Sequence, residues 1–550
     1  MKMNISFRNT RLLAICLLLS TLNLGNSLER AYGEESKPGM SKEGKAIGNE
    51  GQDLKQPGES GEDNSSHDFL AEKLQFVDEQ GIPLIDAEVL VGYEIDDPFQ
   101  NNRFTTDSTG SINLPAKWKS ALPLTVTATG RVRTTFDKVL PFEGKLAVSK
   151  ADGTKNIEVK GSTRNFGDLP RDGKVDFGLV LPAFRFKDLF HFDLSSVISS
   201  ESDQIRIVGK KIDLPSNLTL PKQTESYIIP IVLEKPRYRI YVRETGQHPF
   251  FAVHGQFPLK DVVDDIRSGK SVFEVVNFFD FIEGGSTLLP ISQSGARSDL
   301  AVNEFNIDKS FGVTAPHFPT DKTLLSFAMA SMKNGFMVPT DIKRLLPNQS
   351  LSLKTTSAAS KTSVLFVQTN TQTLEGLRPE AFAVQTMEDY WDLDTNSSLK
   401  KIRILDNSSL APTSLFNQLT FVFQDSQNRK PPQFLEMIPP PQANPKYIRL
   451  QAPKVLTNIT PVATYLVLSE IESTNSGNVP TERRTRLWEV FAHDWVREVQ
   501  LPNFSFDRQA NRKYRWEVMY LGSDKGTKSI GNDTYSLDEI THVTRNAVDF

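Results

Sequence analysis

The sequence predicts an all-β protein in which several tandem antiparallel β-sandwich domains follow a disordered N-terminal tether. Short runs of alternating apolar and polar residues, rich in Val, Ile, Thr and Phe, recur between turn residues along most of the chain. The composition, with 35 Phe and 32 Pro against 9 Met and 5 Trp, suits strands and turns better than helix bundles. The length of 550 residues also predicts several domains rather than one.

The first 33 residues have the three parts of an export signal. Lys2, Arg8 and Arg11 form a basic start, residues 12–24 supply an apolar run, and residues 31–33 offer cleavage positions. The run is shorter than the roughly 20 residues that span a bilayer. We therefore predict a cleaved signal peptide, and no later segment is predicted to be a transmembrane helix.

Cys16, the only cysteine, lies inside this segment, so the mature chain would carry none. Secreted animal proteins are usually cross-linked by disulfides, and a cysteine-free exported chain therefore indicates a bacterial envelope. The alternative is a lipoprotein anchored at Cys16. Ile15 is too large for the position before a lipid-bearing cysteine, so we favour cleavage after residue 33 and a location in the periplasm, on the outer surface or outside the cell.

Residues 34–66 are predicted to be a disordered linker. They are nearly all charged residues, Gly, Ser, Pro and Asn, which cannot bury enough apolar surface to offset the entropy of ordering. The formal net charge of the whole chain is -4 and is not clustered, so the sequence has no electrostatic footprint for nucleic acid.

Residues 67–152 are predicted to be the first β-sandwich. Its strands are expected at residues 74–78, 87–93, 111–115, 124–129 and 131–136, the last two forming a hairpin across Gly130. Two strand motifs, Phe76-Val77-Asp78 and Ala87-Glu88-Val89, alternate with two turn motifs, Gly81-Ile82-Pro83-Leu84 and Thr106-Asp107-Ser108-Thr109-Gly110. These motifs resemble the carboxypeptidase regulatory-like, or transthyretin-like, β-sandwich over about residues 70–150. The resemblance implies a module that supports or spaces other domains, and it implies no activity.

Residues 153–298 are predicted to be a β-sandwich-like domain with a short helix. Strands are expected at residues 175–181, 204–208 and 227–233, and residues 238–243 and 250–254 are predicted to pair as a hairpin. Residues 259–267 have the apolar spacing of a short helix, which Gly269 would end.

Residues 299–425 are predicted to be a third, β-rich domain. Residues 363–369 and 419–424 read as strands, whereas the apolar run at residues 323–332 suits a buried strand and a buried helix about equally. The Pro-rich stretch that begins at Lys430 and ends at Pro441 is expected to be a semi-rigid linker or a strand edge.

Residues 426–550 are predicted to be the last domain. Strands are expected at residues 463–471, 485–491 and 513–521, and residues 540–545 would complete the sheet. A Pro-led first strand and the late pattern Tyr514-x-Trp516-x-Val518 resemble fibronectin type III domains. The resemblance implies another immunoglobulin-like sandwich.

The sequence contains no recognisable set of catalytic residues. There is no His-Glu-x-x-His, Gly-x-Ser-x-Gly, phosphate-binding Gly loop or Cys/His metal spacing. His191 and Asp193 would share one face of a strand, and Ser397 and Lys400 have a hydrolase-like spacing, but no companion motif accompanies either pair. We therefore expect a protein without enzymatic activity and without a bound cofactor.

Calcium is the one metal for which the sequence offers candidate ligands. Asp392, Asp394 and Asn396 have the opening spacing of an oxygen-rich calcium loop. The loop lacks the central Gly, where Ser397 stands, and Arg403 occupies the position of the bidentate Glu. A solvated turn is therefore the favoured interpretation, and a calcium-stabilised adhesin stays a third hypothesis.

Tryptophan side chains are the candidates for ligand binding. Trp391 and Trp495 would stack on sugar rings if they were exposed, whereas Trp488 and Trp516 lie in alternating strands and are expected in the core. We predict an exported, non-catalytic, multidomain scaffold or adhesion protein of the bacterial cell envelope, with a protein or polysaccharide partner. The alternative is a carbohydrate-binding or carbohydrate-active envelope protein.

Overall fold

The computed structural model describes residues 73–142, 144–153, 157–167, 173–183, 202–207, 210–224, 232–258, 261, 265, 272–371, 418–444, 446–476, 479–503, 512–525 and 539–550. The predicted signal peptide and linker lie outside the described residues. Of the predicted helix at residues 259–267, only Asp261 and Asp265 are described, and both are helical.

Strands dominate the described residues, and the predicted all-β class is confirmed. The strands are β1 Lys73–Val77, β2 Glu88–Val91, β3 Arg103–Thr105, β4 Ser111–Asn113, β5 Leu122–Thr127, β6 Arg133–Val139, β7 Gly144–Ala147, β8 Ile157–Arg164, β9 Lys174–Pro182, β10 Ser202–Ile207, β11 Lys210–Pro215, β12 Leu218–Thr224, β13 Val232–Lys235, β14 Arg237–Val242, β15 Gly246–Pro258, β16 Asp280–Ile291, β17 Ala296–Arg297, β18 Leu300–Ala301, β19 Phe305–Asn306, β20 Lys309–Thr314, β21 Lys322–Ser331, β22 Met337–Leu345, β23 Ser350–Thr355, β24 Lys361–Asn370, β25 Leu419–Asp425, β26 Gln442–Ala443, β27 Tyr447–Arg449, β28 Thr460–Ser476, β29 Val479–His493, β30 Glu498–Gln500, β31 Lys513–Ser523 and β32 His542–Asp549. A four-residue helix, α1 (Val272–Val275), and a 3-10 turn at Val276–Phe278 precede β16.

A single twelve-stranded sheet, here called the central sheet, runs through much of the molecule. Its order is β22-β21-β24-β25-β32-β31-β28-β29-β6-β5-β2-β3. The strands come from three of the predicted domains, at residues 67–152, 299–425 and 426–550. Strand β32 lies between β25 and β31 and so completes the sheet, as its sequence predicts. The domain boundaries themselves stay predictions.

A second, six-stranded sheet lies against the central sheet and is called the inner sheet, with the order β13-β12-β9-β15-β16-β19. One of its faces shares a core with the central sheet, where Phe177 and Phe251 pack in the same cluster as Phe327. Its other face packs on the sheet of β8 and β14, where Val180 clusters with Ile240. Since both faces are covered, β9 and β15 are buried along most of their length.

The N-terminal sandwich, residues 73–148, has a core of its own. The three-stranded sheet β4-β1-β7 packs on β2, β5 and β6, and the core between them includes Phe76, Trp118, Leu124 and Phe136. The predicted hairpin of residues 124–129 and 131–136 is confirmed by the antiparallel pairing of β5 with β6.

The motif residues of this sandwich shape its turns. The Asp78 carboxylate accepts hydrogen bonds from the backbone N–H groups of Gln80 (2.9 Å) and Ile82 (2.8 Å). The Asp107 carboxylate does the same for Ser111 (3.0 Å). Gly110 has a φ of +72°, and a Cβ there would lie 2.7 Å from a backbone oxygen, so only glycine fits. The motifs therefore specify folding rather than chemistry.

The seam is the parallel pairing of β6 with β29, which joins the N-terminal sandwich to the rest of the central sheet. It runs from the pair Arg133 and Trp488 to the pair Asp137 and Ala492. The Trp488 indole N–H donates to the Thr135 hydroxyl at 2.9 Å, which fixes the ring across the seam.

One predicted hairpin is wrong. Residues 238–243 (β14) pair with β8, whereas residues 250–254 lie in β15, which pairs with β9 and β16. Both strands place apolar side chains in one shared core, which contains Ile240 and Phe250. The turn between them therefore crosses from one sheet to the next, because the two apolar faces bury more surface face to face than they would side by side.

The Pro-rich stretch packs along the fold instead of linking domains through solvent. Every third side chain from residue 432 to residue 441 is buried, which is the period of a polyproline II helix: Pro432, Leu435, Ile438 and Pro441. The Ile438 carbonyl accepts hydrogen bonds from the side-chain amides of Gln418 (2.9 Å) and Asn546 (2.7 Å). The ambiguous run at residues 323–332 is the buried strand β21.

The outer strand of the central sheet, β22, has part of its edge covered by a side chain. Asn277, in the 3-10 turn, accepts from the Arg344 backbone N–H at 2.8 Å and donates to the Arg344 carbonyl at 3.1 Å. The side-chain amide of Asn277 thereby makes the two hydrogen bonds that the backbone of a neighbouring strand would otherwise make with Arg344. A covered edge is protected from pairing with another chain.

Candidate functional site

Most of the candidate ligands predicted from the sequence lie outside the described residues. This holds for the calcium candidates Asp392, Asp394 and Asn396 and for Trp391, and also for the pair His191 and Asp193. They stay predictions. Among the residues that the structure describes, no group of three or more His, Cys, Asp or Glu side chains is placed to hold a metal ion.

Trp495 lies in the loop after β29 and is already engaged with its surroundings. Its indole N–H donates to the Leu521 carbonyl at 2.8 Å, and its ring meets the Tyr520 ring edge to face at a centroid distance of 6.0 Å. The side chain is half-buried. Its polar atom is therefore not available to a sugar in this conformation. Trp488 and Trp516 are core residues as predicted, each 4% exposed.

The histidine cluster is the most concentrated set of titratable groups in the inner sheet. His254 on β15 is fully buried; its Nδ1 lies 2.8 Å from Glu283 Oε1 on β16, and its Nε2 lies 3.2 Å from Asp176 Oδ1 on β9. Gln256 donates its amide N–H to the same Asp176 oxygen at 2.7 Å. Three neighbouring strands thus bring one imidazole between two carboxylates.

The cluster owes its room to a glycine. Gly178 stands opposite His254 in the register of β9 and β15. A Cβ at Gly178 would lie 2.3 Å from the Thr219 hydroxyl and 3.0 Å from the Phe166 ring. Phe166 meets the imidazole edge to face at 4.9 Å. The ring is therefore enclosed on its apolar sides and bonded at both nitrogens.

The number of hydrogen-bond donors and acceptors in the histidine cluster limits the chemistry that His254 can perform. An ionised carboxylate only accepts, so if both Asp176 and Glu283 are ionised, both nitrogens of His254 must donate. The imidazole then has no lone pair with which to act as a base or a ligand. It also has no exposed surface. The arrangement fits the stabilisation of the inner sheet better than catalysis.

A second cluster lies where three parts of the chain meet, and we call it the junction cluster. Arg486 on β29 donates from Nε to Asp152 Oδ1 (2.9 Å), from its backbone N–H to Asp152 Oδ2 (2.8 Å) and from Nη1 to Glu489 Oε1 (2.7 Å). Arg243 Nη1 lies 3.5 Å from Asp152, and Lys150 forms an ion pair with Glu244 at 2.7 Å. Residues of the segment after β7, of the loop after β14 and of β29 are thereby held together.

Two neighbouring guanidinium groups explain why the Asp152 carboxylate can stay ionised although it is buried. Burial alone would raise the pKa of Asp152, but the guanidinium groups of Arg486 and Arg243 lower it below its usual value. Gly153 is required beside it, since a Cβ there would lie 2.6 Å from the Arg243 carbonyl oxygen. The backbone at Gly153 thus approaches the loop after β14 too closely for any other residue.

The buried face of the central sheet carries further ion pairs. Glu517 on β31 lies 2.9 Å from Arg484 and 3.2 Å from Arg545, and Arg515 pairs with Asp549. Arg515 and Arg545 are at most 1% exposed. Such pairs compensate each other's charge, and losing one partner leaves the other uncompensated.

Asp137, the last residue of the seam on β6, differs from all these acids. It is 2% exposed, and among the described residues no side chain donates a hydrogen bond to its carboxylate; the backbone N–H of Lys138 makes only a weak contact with it. Burial raises its pKa to about 6, against the weaker opposing effect of Lys138. The same carboxylate also affects Tyr93: burial raises the pKa of the Tyr93 hydroxyl, and the negative charge of Asp137 raises it further.

Sequence reasoning missed these clusters because their members are far apart in the chain. One local signal was present: Phe250, Ala252, His254 and Gln256 alternate along β15 and so share one face. The first two side chains predict burial of that face. A histidine and a glutamine on a buried face must find polar partners.

Comparisons with known proteins add little. No protein-family model matches the chain, and no curated protein matches it. Among solved structures, the chain shows a weak likeness to BcpA, the major pilin subunit of Bacillus cereus, at 9% identity and a TM-score of 0.13, over 55% of this chain and 87% of the pilin. A single-substitution variant of that pilin gives 10% identity, the same TM-score, and coverage of 54% and 87%. In the part of the chain that the structure describes, no helix is long and apolar enough to cross a membrane.

Proposed function

We propose that this chain is an exported structural protein of a bacterial envelope, which acts as a scaffold or adhesion module and has no enzymatic activity. The support from the sequence is the signal-like segment at residues 1–33 and a mature chain without cysteine. In this proposal residues 70–150 form a carboxypeptidase regulatory-like sandwich, and the fibronectin-like strands after residue 426 complete the central sheet.

The observation that carries the proposal is the continuity of the central sheet. Hydrogen-bonded strands lead from β22 through β25, β32 and β28 to β3 without a break. Separate domains on flexible linkers would transmit a pull through single chain segments, whereas a continuous sheet spreads it over many ladder hydrogen bonds. Such a body suits a spacer that must hold its shape.

The buried polar clusters support the same proposal. Their charged groups are bonded to one another: Asp152 to Arg486, and His254 to Asp176 and Glu283. Catalytic groups need access to a substrate, while groups that hold strands together do not. The partner would then be recognised by the outer surface, through loops or exposed strand edges.

Protease treatment of intact cells that express the chain tests the proposal. Surface exposure predicts cleavage of the intact-cell protein within residues 34–66, while a periplasmic marker protein stays intact. A periplasmic scaffold predicts protection in intact cells and cleavage once the outer membrane is opened. Recovery of the chain in the cytoplasmic fraction, with residues 1–33 still attached, would contradict the proposal.

A further inference from the structure

The seam is a narrow attachment for a whole sandwich. Five residue pairs of parallel strand join the N-terminal sandwich to the central sheet, from Arg133 with Trp488 to Asp137 with Ala492. Parallel pairing is slightly less stable per residue than antiparallel pairing. Side chains reinforce the middle of the seam, where Phe136 stacks on Phe491 at 5.9 Å. The stability of the β6–β29 pairing therefore depends on the contacts at the two ends of the seam.

One end of the seam is closed by Asp152. Beyond the Trp488 pair, the backbone N–H of Arg486 has no residue of β6 opposite it and donates instead to Asp152 Oδ2 at 2.8 Å. The carboxylate thus continues the ladder. Its own segment is fixed to the N-terminal sandwich, because the Ala151 N–H donates to the Gly130 carbonyl at 2.9 Å.

The other end of the seam contains a buried carboxylate to which, in the part of the chain that the structure describes, no side chain donates a hydrogen bond. Asp137 pairs in register with Ala492, and beyond it the Asn503 N–H donates to the Tyr93 carbonyl at 2.5 Å. Of the charged or titratable groups that the structure describes, Lys138 on its own strand and Tyr93 in the loop after β2 interact with Asp137, while His493 and Asp494 follow its register partner Ala492. Residues 499–503 and the β5 residues nearest the bulge, Leu122 to Leu124, carry no charge.

We propose that the seam is a pH-responsive joint, in which ionisation of Asp137 loosens the N-terminal sandwich from the central sheet while the pairing of Asp152 with Arg486 holds the opposite end. The inference holds whether or not the chain is an envelope scaffold. A buried, ionised carboxylate that only one weak backbone contact stabilises is costly, and opening the seam gives it water.

The direction of the effect follows from the raised pKa of Asp137. A carboxyl group that titrates at about 6 when buried, and at 3.8 when exposed, favours the closed seam while it is protonated. The closed state is fully favoured below about pH 4 and loses that advantage as the pH rises to about 6. Converted at one factor of ten per pH unit, the opening equilibrium rises by up to about 100-fold. Asp152 stays charged throughout, since its pKa is lowered.

Amide hydrogen exchange of the full mature chain between pH 4.5 and pH 8, corrected for intrinsic exchange rates, tests the joint. We expect amides at residues 133–137 and 488–492 to lose protection across this range, by up to about 30-fold because part of the change already lies below pH 4.5, while amides of β24 do not change. Asp137→Asn should abolish the pH dependence. Asp152→Asn should lower the protection of the seam at every pH, and Glu498→Gln, in an exposed ion pair with Arg449, should have no effect on it.

Each outcome bears on the joint. If the hydrogen-exchange protection of the seam in the wild-type chain does not change with pH, the inference is overturned without any variant. The proposal can therefore be refuted even if the Asp137→Asn chain misfolds. A folded Asp137→Asn chain that keeps the wild-type pH dependence would overturn the role of Asp137. An unchanged seam in Asp152→Asn would overturn the role of Asp152. None of these results depends on where the protein resides in the cell.

Discussion

Replacing His254 by leucine should destabilise the inner sheet by about 3 to 5 kcal/mol. The change removes two hydrogen bonds to carboxylates, of 2.8 and 3.2 Å, from an imidazole with no solvent exposure; the Asp176 side chain is 3% exposed and the Glu283 side chain 13%. A hydrogen bond to a charged group contributes about 1.5 to 3 kcal/mol, and a buried charge that loses its partner costs about 3 to 5 kcal/mol. Gln256 still donates to Asp176, which keeps the expected loss within that range.

Urea denaturation with hydrogen exchange measures this loss. The chain has several cores, so the global transition is accompanied by exchange of the β15 amides at Phe250 to Gln256, which report on the inner sheet itself. The matched control is His317→Leu at an exposed histidine, where we expect a change within about 0.5 kcal/mol. The double variant with Asp176→Asn should recover part of the loss, because it removes a negative charge that would otherwise face the leucine side chain.

The reasoning would be refuted by a His254→Leu protein whose β15 amides keep wild-type protection. Such a result would mean that Asp176 and Glu283 do not need the imidazole, either because they are protonated or because water replaces it. A loss equal to that of His317→Leu would lead to the same conclusion. In both cases the buried cluster would no longer support a structural role.

Three further changes test the fold. Gly161→Ala should prevent the β8 sheet from closing, since its Cβ would lie 1.5 Å from the Ser298 carbonyl oxygen; the loss of cooperative thermal unfolding checks this. Asn102→Ala removes hydrogen bonds to the carbonyl of the last residue of β2 and to the carbonyls of two residues in the loop after it, and we expect a loss of about 1 to 3 kcal/mol in urea denaturation. Asn277→Ala uncovers part of the β22 edge, and light scattering should then show concentration-dependent association that the wild-type chain lacks.

Strands with one apolar face could be predicted from the sequence because alternation is a local property. Strands β5, β24 and β31 each lie within a residue or two of their predicted bounds. Pairing partners are not local. Strands β14 and β15 are neighbours in sequence and contribute to one core, yet they belong to different sheets, and only the stacking of three sheets decides between the two arrangements.

The candidate clusters were beyond the reach of a single sequence for the same reason. Asp176, His254 and Glu283 stand on three strands, and their order in the chain gives no spacing that a motif could describe. Asp152 and Arg486 are separated by 334 positions. What the sequence offers is the polar residue on an apolar face, which predicts that a partner exists but does not identify it.

The packing of the cores makes a final prediction about which segments can fold alone. All the buried members of the core of the N-terminal sandwich lie between Leu74 and Val148, so a fragment of residues 67–152 should fold as a monomer with a cooperative thermal transition. A fragment of residues 299–425 should not, although it has a core of its own around Leu324 and Phe366. Its other face, which includes Phe327, loses the partners that it has in the inner sheet.

The expected difference is large. At about 2 kcal/mol for each large apolar side chain, exposing Leu325, Phe327, Met329, Leu365 and Phe421 costs on the order of 10 kcal/mol, which equals the whole stability of an ordinary domain. Circular dichroism and size-exclusion chromatography of the two fragments provide the measurement. A monomeric 299–425 fragment with a sharp unfolding transition would show that the core shared with the inner sheet is dispensable. The chain would then consist of independent domains that happen to touch, and the continuity of the central sheet would no longer argue for a rigid body.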